Sequence, residues 1–149
     1  MERLAIINRT DLARHTRQMV DRARRGDTLI VESYGEEQVV LMDILDYRLI
    51  RAVAAYHRGA LQSSGSDVEP RGLSEADLNS TDPQLRWNQV ITAYLDKQVS
   101  LGRAATLLNL SRYELDERFR RLDLPRRIGA KTVADAQAEV KIALGNSNG

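Results

Sequence analysis

The sequence predicts two small modules in one chain. The first is an α+β unit of order β-α-β-β-α over residues 1–57. The second is an all-α helix-turn-helix unit over residues 84–149. Three observations predict this. Short apolar or β-branched runs at Leu4–Ile7, Thr28–Ser33 and Gln38–Met42 read as strands. From Asp82 onward the apolar residues recur at helical spacing. Between the two, residues 58–83 combine Gly, Ser, Pro and acids with no sustained apolar period, and read as a linker at which the modules separate. Aromatics are 5% and charged residues 29% of the 149, which argues against one large core.

Each element has a local reason. Thr10 is suited to an N-cap and Asp11 to an acidic first turn. Leu12, Thr16, Met19, Val20 and Ala23 then mark one helical face, with Arg14, Gln18, Asp21 and Arg25 opposite and Arg17 close by. Gly26-Asp27 stops that helix. Tyr34-Gly35-Glu36-Glu37 lies between the second and third strand runs and signals a hairpin. Asp43 caps a further helix whose stripe is Ile44, Leu45, Leu49, Ile50 and Val53. A unit this small buries little surface alone, which predicts a homodimer sharing its sheet and helices.

In the second module, Asp82-Pro83 places an N-cap before Pro at the first helical position. Trp87, Val90, Ile91, Tyr94 and Leu95 follow on one face. Ser100 caps a short helix running through Leu108, and Asn109-Leu110 makes a turn. Ser111-Arg112-Tyr113-Glu114 has the form of a capping box, with Leu115, Phe119 and Leu122 facing inward. Pro125 ends that region, and Thr132 to Leu144 predicts a last amphipathic helix.

Composition excludes several chemistries. There is no Cys, so disulfides, thiol nucleophiles and cysteine-ligated metals are out. His15 and His57 are the two histidines, and neither has an obvious nucleophile beside it. No phosphate-cradling lysine motif or dinucleotide fingerprint is present. Glu36-Glu37 and Asp116-Glu117 read as solvated charge. The expectation is a protein that is not an enzyme, with no cofactor and no metal. No apolar run approaches a membrane span, so a cytoplasmic protein is expected.

Charge is segregated behind a net +1. Residues 1–26 carry seven Arg against three acids, and residues 84–149 carry eleven basic residues against seven acids. Of 22 basic residues, 19 are Arg, the side chain suited to bidentate phosphate and base contacts. Codon bias in a GC-rich genome accounts for the same excess equally well. Arg9, Thr10, Arg14, His15 and Arg17 cluster at the N-terminal half of the first helix and form one candidate DNA surface, with solvated charge as the alternative. The segment from Ser100 to Leu115 has the layout of a helix-turn-helix, in which a small Ala105 permits close packing and Asn109 tolerates a left-handed turn. A recognition helix reads bases with its N-terminal residues, which points to Arg112 and Tyr113. Arg118 is expected outward beside them, with Asp116 and Glu117 opposing phosphate. A helical pair used for packing or protein contact is the alternative.

Residues 1–56 resemble the Phd/YefM (prevent-host-death) antitoxins. The resemblance rests on Thr10-Asp11-Leu12-Ala13-Arg14, Arg25-Gly26-Asp27, Leu29-Ile30-Val31-Glu32, the run from Tyr34 to Met42, and Asp46-Tyr47. It implies a homodimeric DNA-binding domain that represses its own operon, and a C-terminal region that wraps a toxin. It also points to Arg9, Thr10, Arg14 and Arg17 as operator contacts. Many relatives carry a basic residue where this chain has Glu32 and Ser33, and their tails are usually short. Residues 84–144 look like a small helix-turn-helix antitoxin group often paired with PIN-domain ribonucleases. That likeness is carried by Tyr94-Leu95, the run from Val99 to Ala105, the run from Leu110 to Leu115, and Leu122-Asp123-Leu124-Pro125.

The reading is therefore a type II antitoxin that binds operator DNA and neutralises a cognate protein toxin. Trp87, Tyr94, Arg126 and Arg127 are the partner-binding candidates, the Arg pair as a plug for an acidic nuclease site. A protein-interaction adaptor and a stand-alone repressor without a toxin are the alternatives.

Overall fold

The structure is a computed structural model that describes residues 3–63 and 79–126, with the backbone alone at 60–63. It is a mixed α+β fold with one three-stranded sheet and six helices among the described residues. Residues 64–78 of the expected linker, Arg127 and the helix expected over Thr132–Leu144 lie outside the described residues.

Strand β1 (Arg3–Asn8) leads through α1 (Arg9–Arg14) and α2 (Thr16–Arg24) to β2 (Asp27–Ser33). β1 and β2 are parallel, so the chain must cross over between them, and the helices make that crossing. The single helix expected here is two. Asn8, not Thr10, is the N-cap: its side chain accepts the Asp11 N–H at 2.7 Å, so the last strand residue starts the helix. His15 leaves helical geometry at φ −124°, ψ 37°, and α2 begins at Thr16. The Thr16 hydroxyl donates back to the Leu12 carbonyl at 2.7 Å, bridging the break. Of the face expected to be buried, Met19 and Ala23 are inside, Leu12 packs at the edge of the cluster around Met19, and Thr16 and Val20 are exposed.

β2 turns into β3 (Glu36–Leu41) through only Tyr34 and Gly35, both at positive φ, 54° and 78°. Two central residues with positive φ make the tight turn whose twist matches a hairpin. The sheet order is β1-β2-β3. One face carries Ile7, Leu29 and Val31 against Met19 of α2, a small core with Ala5, Leu12 and Leu41 at its margin. On the opposite face Ile6, Ile30 and Val40 stand in register across the three strands. Ile6 and Val40 are more than half exposed, as is Leu4 beside them.

The larger core is helical. α3 (Ile44–Ser63) runs past residue 57, where the sequence reading closes the first module. Its Leu49, Ala52 and Val53 are buried with Trp87, Val90, Ile91 and Tyr94 of α4 (Pro83–Leu95). Ala104 and Ala105 of α5 (Leu101–Leu107) and Leu115 and Phe119 of α6 (Arg112–Arg121) complete it. The third helix thus leaves the sheet module by sequence and joins the helix-turn-helix by packing. The caps agree with the sequence. Asp82 accepts from the Gln84 N–H at 2.9 Å, Ser100 from that of Arg103 at 3.1 Å, and Asn109 is left-handed at φ 58°.

Candidate nucleic-acid interface

α5 and α6 form a helix-turn-helix, and the start of α6 is exposed. Ser111 and Glu114 close a reciprocal capping box: the Glu114 N–H donates to Ser111 Oγ at 3.1 Å, and the Ser111 N–H donates to Glu114 Oε2 at 2.7 Å. The backbone and then the side chain of Ser111 hold the Glu114 carboxyl below its ordinary range. The box is therefore complete above the ordinary Glu pKa and is lost as acid protonates Glu114. Between the two capping residues stand Arg112 and Tyr113, both exposed, Tyr113 at 73%. The sequence offers two carboxylates nearby, but each has a cation. Asp116 pairs with Arg126 and Glu117 with Arg120. Their charge is neutralised locally, which removes the main electrostatic objection to phosphate at this helix.

Arg118 does not face outward as expected. It turns to the start of α3, where one Nη donates to Asp43 at 2.6 Å and to Asp46 at 2.6 Å. Arg121, one turn on, donates to both Asp46 carboxylate oxygens at 2.7 and 2.9 Å, and to the Gly26 carbonyl at 3.0 Å. Asp46 is 2% exposed at its side chain, and Arg118 and Arg121 are 17% and 13%. Hydrogen bonds donated to Asp46 hold the Arg121 guanidinium above its ordinary pKa, against the effect of burial. Gly26 is needed here on two counts. Its φ is +107°, and a Cβ would meet the Arg121 guanidinium at 3.0 Å. The result ties α6 to both the start of α3 and the turn that ends α2.

The break at His15 splits the first candidate surface. Arg9 and Thr10 line a groove shared with Glu32, Ser33 and Tyr34 of the hairpin. Arg14, His15 and Arg17 line a second groove with Arg22 and Arg25. All five candidates are exposed. Each groove holds one acid, Glu32 in the first and Asp21 in the second, but the first has one arginine and the second has four, which makes the first the poorer place for phosphate. Arg22 pairs with Asp27 at 3.0 Å, whereas Arg14, Arg17 and Arg25 have no ion-pair partner among the described residues.

The partner-binding candidates fare differently. Trp87 is 5% exposed and Tyr94 is 2% exposed, with Tyr94 tilted against Phe119 at 5.6 Å between ring centroids. Both are core residues, because their apolar rings fill the space between α3, α4 and α6. This conformation does not offer them to a partner. Arg126 is part-exposed and held by Asp116.

Sequence reasoning missed the Asp43–Asp46 and Arg118–Arg121 assembly. A signal existed: both pairs are spaced i,i+3, which puts each pair on one helix face. Among the described residues, no three potential ligand side chains converge as a metal site, and no helix is long and apolar enough to cross a membrane. Compared with known protein families, characterised proteins and solved structures, the chain matches none.

Proposed function

We propose that the protein is an autoregulatory antitoxin: a homodimer that binds operator DNA upstream of its own gene and neutralises a cognate protein toxin. The DNA-binding part rests on one observation above the rest. The N-terminal turn of α6 carries exposed Arg112 and Tyr113 on a capped helix whose other face is buried in the core. Such a turn enters a major groove in helix-turn-helix proteins, and Arg is the side chain that grips guanine edges. Arg112→Ala is expected to weaken binding to the upstream duplex by about 1–3 kcal/mol, roughly 5–150-fold, with stability unchanged because the side chain is exposed. Fluorescence anisotropy with the labelled duplex measures this. Unchanged affinity would remove α6 as the reading helix.

The homodimer is supported by the open sheet face. Ile6, Ile30 and Val40 form an apolar row whose two ends, Ile6 and Val40, are more than half exposed, on a module whose own core cluster has four buried residues. Ile6→Glu is expected to give a folded monomer at micromolar concentration by sedimentation. A variant that still sediments as a dimer would place the interface elsewhere.

The toxin-binding part rests on the likeness of residues 1–56 to Phd/YefM antitoxins and of 84–144 to antitoxins paired with PIN-domain ribonucleases. Burial of Trp87 and Tyr94 favours a second reading, a repressor without a toxin, since it removes the aromatic pair from the partner surface. Co-expression with the adjacent gene's product separates the two: a stable complex supports the antitoxin.

A further inference from the structure

We infer that the two modules grip one length of duplex DNA together, along a single basic track in which Arg25 and Arg3 bridge the first module to α6. The inference rests on the DNA-binding reading above and extends it to residues outside both candidate surfaces. Arg25 is the C-cap of α2 and is exposed. It lines the groove that holds Arg14, Arg17 and one acid, Asp21, and it also lines a cleft of about 470 Å³ between the modules, where Arg3 and Tyr113 stand with Glu114, held in its capping box, and Glu117, paired with Arg120. Arg25 is thus common to the two depressions.

Ion pairing sorts the arginines along this path. Arg22 is neutralised by Asp27, Arg120 by Glu117, and Arg118 and Arg121 by Asp43 and Asp46. Arg14, Arg17, Arg25 and Arg3 are exposed and have no ion-pair partner among the described residues. Eight residues of helix from Arg17 to Arg25 rise about 12 Å, the axial rise of roughly three to four phosphates on one strand. Spaced cations of that kind suit a repeating polyanion rather than a small anion. The buried ion pairs hold α6 against the Gly26 turn, so the distance between Arg25 and Tyr113 is fixed by the fold.

The test uses the full chain and a labelled duplex of its own upstream region, with affinity followed by anisotropy across a salt series. Arg3→Ala with Arg25→Ala is expected to make the log–log salt slope shallower by about 1.8 per protomer and to weaken low-salt binding about tenfold or more. Arg3→Lys with Arg25→Lys keeps the charge and is expected to keep the slope. Should the alanine pair disturb β1 in a melting experiment, Arg25→Gln alone, at an exposed helix end, is expected to remove about 0.9 from the slope. Unchanged slope and affinity in these variants, while the unaltered protein binds, would overturn the bridge and leave the DNA-binding reading standing. Equal or tighter binding to a single strand or an RNA duplex of the same sequence would overturn duplex DNA as the occupant. No duplex binding by the unaltered protein would bring down the DNA-binding reading and the track with it.

Discussion

A fragment beginning at residue 84 is expected not to fold, whereas one beginning at Asp43 is expected to unfold cooperatively. The reason is the division of the core. Leu49 and Ala52 are fully buried and Val53 is 5% exposed, all against α4, α5 or α6. Deleting α3 would uncover Trp87, Val90, Ile91 and Tyr94 together. A buried Leu cut to Ala alone costs about 2–5 kcal/mol, and a domain of this size has only about 5–15 kcal/mol to lose. Leu49→Ala in the full chain is expected to lose about 2–5 kcal/mol in urea unfolding followed by circular dichroism. A cooperative unfolding transition in the fragment that starts at residue 84 would show that α3 is dispensable to the helix-turn-helix. A cut within residues 58–83 is then expected to leave the helical core intact only where α3 stays with α4.

The second large effect is expected at Asp46. Removing its carboxylate by Asp46→Ala leaves part-buried Arg121 without its carboxylate acceptor and Arg118 with Asp43 alone. Breaking one side of a buried ion pair costs about 3–5 kcal/mol, which for a chain of this length lowers Tm by roughly 6–20 °C. Adding Arg121→Ala is expected to recover part of that loss, since the second change removes a charge that the first left unpaired. Differential scanning calorimetry reads both. Strict additivity of the two single losses would mean that the pair is not coupled. A DNA-binding defect in Asp46→Ala at a temperature where it remains folded would show that the ion pairs position α6 as well as stabilise it.

Local chemistry was legible in the sequence wherever one residue sets the outcome. Asp82, Ser100 and the Ser111–Glu114 box start helices because each side-chain oxygen lies within reach of a free backbone N–H. Asn109 and Gly35 reverse the chain because both tolerate positive φ. The α1–α2 break was not legible. Thr10 and Asn8 are both acceptable caps, and the choice fell to Asn8 because β1 continues to that residue. Nor was the membership of α3, since its apolar stripe reads the same whether it packs on a sheet or on α4. Trp87 and Tyr94 illustrate the limit at the site. An aromatic on an apolar helical face suits a core and a partner equally, and only the third helix over them decides. The Arg118 and Arg121 contacts with Asp43 and Asp46 span more than seventy residues, a distance over which one sequence carries no pairing information.

The account stands on DNA reading by the start of α6. The most direct measurement compares the full chain on a duplex from its own upstream region with a shuffled duplex of the same length, at matched salt and then across a salt series. The account predicts tighter binding to the upstream duplex by about a thousandfold or more, with a log–log salt slope of roughly −4 to −5 for a dimer making four to six phosphate contacts, steepening to about −7 where Arg3 and Arg25 also engage in both protomers. Equal affinity for the two duplexes, or binding indifferent to salt, would contradict it.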